Sequence, residues 1–314
     1  MPFEITVLTH QQYPVIVLKD TAANADVEIY AFGGLLNAFS IMVNGQPTNV
    51  IDGFSSVADA VENISNGFKS AKLSPFVCRM DKGEHQFNNQ LLKIEKFYLH
   101  PHAIHGLIYD AVYKIVSTKA NGNKAEVMLE YTYNSLDKGY PFNYATQIIW
   151  TLEAQQKLSV TTNVQHNNPH EIPFADGWHP YFKLGATVDG CTLQFNSNTL
   201  IEFDGTLVPT GVKLEDARFI NGQPLKGIEL DNCFELNSTG QPACTLRNNE
   251  LELLIEPDAS YPYLQVYTPP HRQSIAIENL SAVPDAFNNG MGLLLLKPNE
   301  QYSFTTSYTL NVIP

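Results

Sequence analysis

The chain has 314 residues, 44% of them apolar and including 17 Phe and 15 Tyr, enough for a sizeable core and unlike a disordered or collagen-like chain. Its 19 Lys and Arg are scattered and outnumbered by 32 Asp and Glu, for a formal net charge of -13. That balance excludes the clustered basic surface that nucleic-acid phosphates require, and without a basic amphipathic stretch it also excludes an anionic membrane surface.

Residues 1–20 hold no positive segment followed by an apolar one, so no signal peptide is predicted. No run of about 18 apolar residues occurs anywhere, so no spanning helix is predicted either. Cys78, Cys191, Cys233 and Cys244 form no CxxC pair and read as buried thiols rather than a disulfide framework. A soluble, cytoplasmic protein is expected.

In chain order, alternation of apolar and polar residues predicts strands at 3–9 and 13–19, then at 27–30 and 38–43. Asn44-Gly45 suits a two-residue hairpin turn after the last of these. A helix is predicted over about 55–66: Ser55 or Ser56 can cap it, and Val57, Ala60, Val61 and Ile64 fall on one face. Further strands are predicted at 125–133, 143–150, 157–166, 191–195, 251–256, 263–268, 274–278 and 301–312, with turn signals at Asn121-Gly122, Asp204-Gly205 and Asn221-Gly222. A second short helix near 281–288 is limited by Pro284. With one clear helix among a dozen strands and no repeat or linker, the reading is a single antiparallel all-β domain over residues 1–314.

Four segments carry polar residues where chemistry can sit. His100-Pro101-His102-Ala103-Ile104-His105-Gly106 invites a metal reading, but Pro101 and Gly106 break the helix that would bring His rings together. In an extended chain His100 and His102 share a face, which suggests surface or packing roles, while His105 points away as a candidate polar site residue. His179 lies between Trp178 and Pro180, followed by Tyr181 and Phe182. It is either a buried histidine bonded to backbone or an imidazole whose aromatic surroundings shift its pKa toward acid–base work. Glu278 follows the apolar run 274–277, as a solvated strand end or as a base at a sheet edge. Asp231 precedes an apolar pair and can simply make a turn. No Walker loop, GxGxxG, GxSxG or EF-hand pattern is present.

In order and spacing, Arg79, His105-Gly106, Gly139-Tyr140-Pro141, Trp178-His179-Pro180-Tyr181-Phe182, Asp231 before Phe234, Gln265-Val266-Tyr267-Thr268 and Glu278 resemble the landmarks of the aldose 1-epimerase (galactose mutarotase) family. Leu295-Leu-Lys-Pro298-Asn-Glu300-Gln-Tyr302 resembles its closing hairpin, so the resemblance runs from about Val27 to the end. It implies a large antiparallel β-sandwich (the galactose mutarotase-like supersandwich) and a cofactor-free, metal-free isomerase whose partner is a free hexose such as glucose or galactose. It implies further that Glu278 is the general base for the anomeric hydroxyl and His179 the general acid for the ring oxygen. His105 would assist on the ring-oxygen side, while Arg79, Asp231 and Gln265 would hold hydroxyls. The productive pair would be ionised Glu278 beside protonated His179, each favouring the other's charge.

The chain departs from that pattern in places. Cys78 stands where the family commonly has Asn, removing a hydroxyl-binding amide; His-Gly-Gly becomes His105-Gly106-Leu107; and an expected aromatic is replaced around 113–115. Two alternatives follow. A hexose-6-phosphate mutarotase would need an additional cationic pocket for the phosphate, and Arg79, Arg218, Arg247 and Arg272 are the only arginines in the chain. A non-catalytic sugar-binding relative would need hydroxyl ligands without a matched acid and base.

Overall fold

The period-two pattern folds as antiparallel sheets in the computed structural model, which describes residues 1–9, 12–237 and 243–313. A nine-stranded sheet runs in the order Lys114–Ala120, Lys124–Asn134, Asn143–Glu153, Lys157–Gln165, Gln301–Val312, Leu251–Pro257, Cys244–Arg247, Thr192–Phe195 and Gln223–Pro224. The C-terminal strand lies at its centre, so the last residues of the chain join the middle to the strands at 251–257. In Asn143–Glu153, alternate residues from Tyr144 to Leu152 are buried, as expected for a strand with one face on a core.

The facing sheet has the order Pro209–Glu215, Thr199–Phe203, Asp231–Glu235, Tyr263–Tyr267, Ile275–Leu280, Gly177–His179 and Ala71–Leu73, and Tyr181–Phe182 adds to Ile275–Leu280. The two sheets meet through aromatic pairs. Trp150 packs on Trp178 with centroids 5.4 Å apart, Phe182 on Tyr308 at 5.5 Å, and Phe195 on Phe234 at 4.8 Å. A fully buried Phe contributes about 1.5–3 kcal/mol, so these contacts fix the sandwich spacing. A five-stranded N-terminal meander, Phe3–Leu8 through Gln46–Asn49, packs on the outer strands of the nine-stranded sheet. Its Asn44-Gly45 turn has φ 50° and 77°, the double left-handed turn that two-residue hairpins favour.

The helix spans Val57–Asn63, shorter than the predicted 55–66, and Ser56 caps it by accepting the Asp59 N–H at 3.1 Å. The second helix is Ala286–Asn289, which begins beyond Pro284 and is shorter than the expected 281–288. All four cysteines are unpaired and buried. Among the described residues no helix is long and apolar enough to cross a membrane.

Two local expectations change. Glu278 does not end a strand: Ile275–Leu280 continues past it, and all six of its residues are buried. His100 and His102 do not share a face either. His100 and Pro101 form the turn of a hairpin pairing Leu99 with His102, which leaves His100 exposed while His102 is buried against Asp81 at 3.2 Å.

Candidate active site

Cross-strand register assembles the site. Cys233 pairs with Gln265, and Gln265 with Glu278. The next strand pairs Gly177 with Leu280 and Tyr181 with Ala276, a register that sets His179 opposite Glu278. Cross-strand partners project from the same face of a sheet, so Gln265, Glu278 and His179 stand in one row. Two residues along, Asp231, Tyr267, Ala276 and Tyr181 form a parallel row on that face. Trp178 and Phe182 alternate to the opposite face and enter the sandwich core, whereas Tyr181 lines the site.

A second tier closes over the rows. Arg79 begins a short strand, Arg79–Met80, paired through Ile104. Cys78 just before it has φ 47°, and His105 after Ile104 has φ 63°. The His105 N–H donates to the Cys78 carbonyl at 2.9 Å. Gly106, at φ 75°, lies so close that a Cβ would sit 2.3 Å from the Ser74 oxygen, which is why glycine must follow this histidine.

Together these residues line one cavity of about 310 Å³. All six residues singled out in the sequence, Glu278, His179, His105, Arg79, Asp231 and Gln265, are in its wall, as is Cys78. His179 Nε2 lies 3.4 Å from Glu278 Oε1, and Cys78 Sγ lies 3.8 Å from Oε2. Gln265 donates to Asp231 Oδ1 at 2.8 Å, and among the described residues the Arg79 guanidinium has no hydrogen-bond or ion-pair partner. The buried Nδ1 atoms of His105 and His179 and Oε1 of Gln265 are likewise unpartnered. A pocket holding this many free polar groups suits a polyhydroxylated ligand.

The sequence reading missed part of the wall. An arc of rings runs from Phe97 to Phe68 (5.4 Å), His105 (4.6 Å), His179 (4.9 Å), Tyr181 (4.9 Å) and Tyr267 (6.5 Å). Phe68 and Phe97 carry no motif. Leu99, Phe203 and Leu207, also unflagged, make an apolar rim.

Electrostatically, burial opposes the ion pair expected from proximity. It lifts the Glu278 carboxyl well above its ordinary range, with Asp231 adding to the rise and Cys78 and Arg79 opposing it. Burial pushes His179 down to about 4, and pushes His105 well below its usual value with help from His179 and Arg79. At 2% and 4% exposure respectively, Glu278 and His179 lose so much hydration that desolvation outweighs mutual attraction. Burial thus favours the uncharged pair. Among the described residues, no group of three or more His, Cys, Asp or Glu is arranged to hold a metal ion.

Comparison with known proteins agrees with this architecture. A galactose mutarotase-like protein from Clostridium acetobutylicum superposes with a TM-score of 0.87 at 17% identity, over 99% of both chains. A galactose 1-epimerase from Lactobacillus acidophilus gives 0.83 at 19% identity, over 99% of this chain and 98% of its own. At these identities the superpositions speak for the fold. An uncharacterized protein of Escherichia coli K12, YihR, is 28% identical over 206 residues, 64% of this chain and 65% of that protein. The chain therefore spans a little under two thirds of that relative's length. The sequence model for aldose 1-epimerase matches residues 14–309, nearly the whole chain, and the chain belongs to the aldose 1-epimerase family.

Proposed function

We propose that the protein is a cofactor-independent mutarotase that interconverts the α and β anomers of a free, uncharged hexose such as glucose or galactose. The observation that carries this reading is the placement of Glu278 against His179 at 3.4 Å on the floor of the cavity. O1 and O5 of a pyranose are both bonded to C1, so two groups this close reach both oxygens of one anomeric centre. Glu278 takes the O1 proton while His179 gives a proton to O5, and the C1–O5 bond breaks to leave an aldehyde. Rotation about C1–C2 and reclosure on the other face reverse both transfers. Positioned proton transfer of this kind contributes about 10²–10⁴-fold to rate. Arg79, Asp231 and Gln265 hold hydroxyls, and the ring arc presents apolar surface to the sugar's C–H faces.

The pair carries one proton throughout. Ring opening starts from carboxylate and imidazolium and ends with carboxylic acid and neutral imidazole. Burial favours the second arrangement, so the site's electrostatics favour the open-chain intermediate.

The cavity wall also favours a neutral sugar over a hexose 6-phosphate. Among the described residues Arg79 is the one Lys or Arg in it, whereas Arg218 is paired with Asp216 and Arg272 with Asp189 elsewhere. A phosphate carries about two charges and is normally clamped by more than one cation. Unpaired cysteines fit a reducing compartment such as the cytoplasm.

Polarimetry of freshly dissolved α-D-glucose and α-D-galactose tests the reading, comparing wild type with Glu278→Gln and His179→Asn. Relaxation faster than the enzyme-free rate, and lost in both variants, is expected. No acceleration by wild type refutes free glucose and galactose as substrates. Acceleration with hexose 6-phosphates alone favours the phosphate enzyme, and binding without acceleration favours a non-catalytic relative.

A further inference from the structure

We propose that Cys78 is a positioning residue for Glu278: its S–H donates to Oε2, turns Oε1 toward His179, and sets how readily the carboxyl gives up its proton. The inference rests on the acid–base reading above. The two carboxyl oxygens have different partners, with Oε1 3.4 Å from His179 Nε2 and Oε2 3.8 Å from Cys78 Sγ. Among the described residues, nothing else hydrogen-bonds this carboxyl, which is 2% exposed. The thiol is therefore the one side chain that can fix the rotation of the carboxyl plane opposite the imidazole.

The backbone holds Cys78 in place. Its φ of 47° lies in the left-handed region that non-glycine residues rarely occupy, and such conformations gather at functional sites. Its carbonyl is tied to the His105 N–H at 2.9 Å, so one residue anchors both the base and the second histidine. The thiol stays protonated and able to donate, because burial and the nearby Glu278 push it well above its ordinary value.

Other groups around Glu278 set the background. His179 and Tyr181 face it from the 177–182 strands, Asp231 and Cys233 from 231–235, and Gln265 and Tyr267 from 263–267; Arg79 and His105 complete the ring. Asp231 disfavours the carboxylate and Arg79 favours it. Against that background the donor at position 78 matters by its strength. A thiol is a weak donor, and so stabilises the carboxylate less than an amide N–H would.

The test is the pH dependence of kcat/KM, with the enzyme-free rate subtracted, for wild type, Cys78→Asn, Cys78→Ser and Cys78→Ala, each checked for an unchanged fold by circular dichroism. The alkaline limb, where the Glu278–His179 pair loses its single proton, should move down by about one pH unit in Cys78→Asn. It should move up in Cys78→Ala and stay closest to wild type in Cys78→Ser. Infrared titration of the carboxyl band that disappears in Glu278→Gln reads the same shifts without turnover. Limbs and carboxyl titrations that coincide in all four proteins overturn the role of Cys78 and leave the acid–base reading intact. If wild type does not speed mutarotation at any pH, the functional reading fails and the infrared shifts alone decide whether Cys78 sets the proton affinity of Glu278.

Discussion

Replacing Glu278 with Gln removes the proposed base while disturbing little else. The side chain is 2% exposed, and among the described residues its two oxygens have only His179 and Cys78 as polar partners. Gln matches Glu in volume and resembles the uncharged carboxyl that burial already favours. The fold should therefore lose no more than about 1 kcal/mol of stability. Sugar binding through Arg79, Asp231 and Gln265 should change by a few-fold at most. Turnover, by contrast, should fall by about 10²–10⁴-fold, which at 1.36 kcal/mol per decade raises the barrier by about 3–5.5 kcal/mol. Polarimetry of α-D-galactose gives the rate, two-dimensional exchange NMR of the equilibrated anomers confirms it, and calorimetry gives the affinity and melting temperature. A variant that keeps more than a tenth of the wild-type rate refutes Glu278 as the base. So does a loss of rate matched by an equal loss of affinity, which would make the residue a ligand for ground-state sugar.

Arg79→Met removes the one cation in the cavity, and a charge-assisted hydrogen bond contributes about 1.5–3 kcal/mol. Calorimetry should show Kd for the sugar rising by about 10–100-fold with the melting temperature unchanged, and an unchanged Kd would remove Arg79 from the binding set. Lys72 and Asp176 form a fully buried ion pair behind the strands that carry His179 and Glu278. Lys72→Met alone should cost about 3–5 kcal/mol in urea denaturation, with Lys72→Met/Asp176→Leu recovering most of it; equal losses in both would refute the unpaired charge as the cause. The pH–rate profile should be a broad plateau. Activity is lost as pH falls through about 4, where a second proton enters on His179, and as pH rises past the elevated value of Glu278, where the pair loses its only proton. An acid limb near the ordinary histidine value would contradict the buried imidazole.

The long strands were legible because each has one face on the core: 143–150 and 301–312 follow alternation closely enough to be read from sequence. The site depends on shorter pieces. Ala71–Leu73, Arg79–Met80 and Gly177–His179 have two or three residues each, too few for a period to appear. The ordered motifs named Glu278 and His179, but nothing local separated a strand end or a packed histidine from an acid–base pair. What brings the two side chains together is register across five strands, which no single segment encodes. Cys78 and Glu278 meet across 200 residues of chain, so a substitution that reads as a lost sugar ligand turns out to touch the proposed base. Lys72 drew no reading from the sequence for a different reason. Lysine is almost never fully buried unless paired, and its partner, Asp176, lies 104 residues away.

The same register explains why the pair can be both precise and uncharged. On the strands that present His179 and Glu278 to the cavity, the alternating residues Trp178, Phe182 and Ile277 pack into the sandwich. Behind them, Asp176 joins Lys72 and accepts from the Tyr261 hydroxyl at 2.6 Å, and its backbone N–H donates to Ser281 Oγ at 2.8 Å. The proposed acid and base thus stand on a floor fixed from the far side, where displacement would disrupt core packing and a buried charge pair. A loop-borne acid and base would lack that support. Rigidity comes with dehydration, and dehydration favours neutral groups. For most acid–base sites that would remove the reactive forms. In the proposed mutarotation both forms are visited, because opening a ring passes a proton from one member of the pair to the other and closing it passes the proton back. A site that favours the uncharged pair stabilises the aldehyde stage, the high-energy species on the path, and cyclic sugar bound to the charged pair is the state it disfavours. Burial at this position therefore favours the aldehyde stage over cyclic sugar held by the charged pair, and the proposed ring opening must form that charged pair against the same preference.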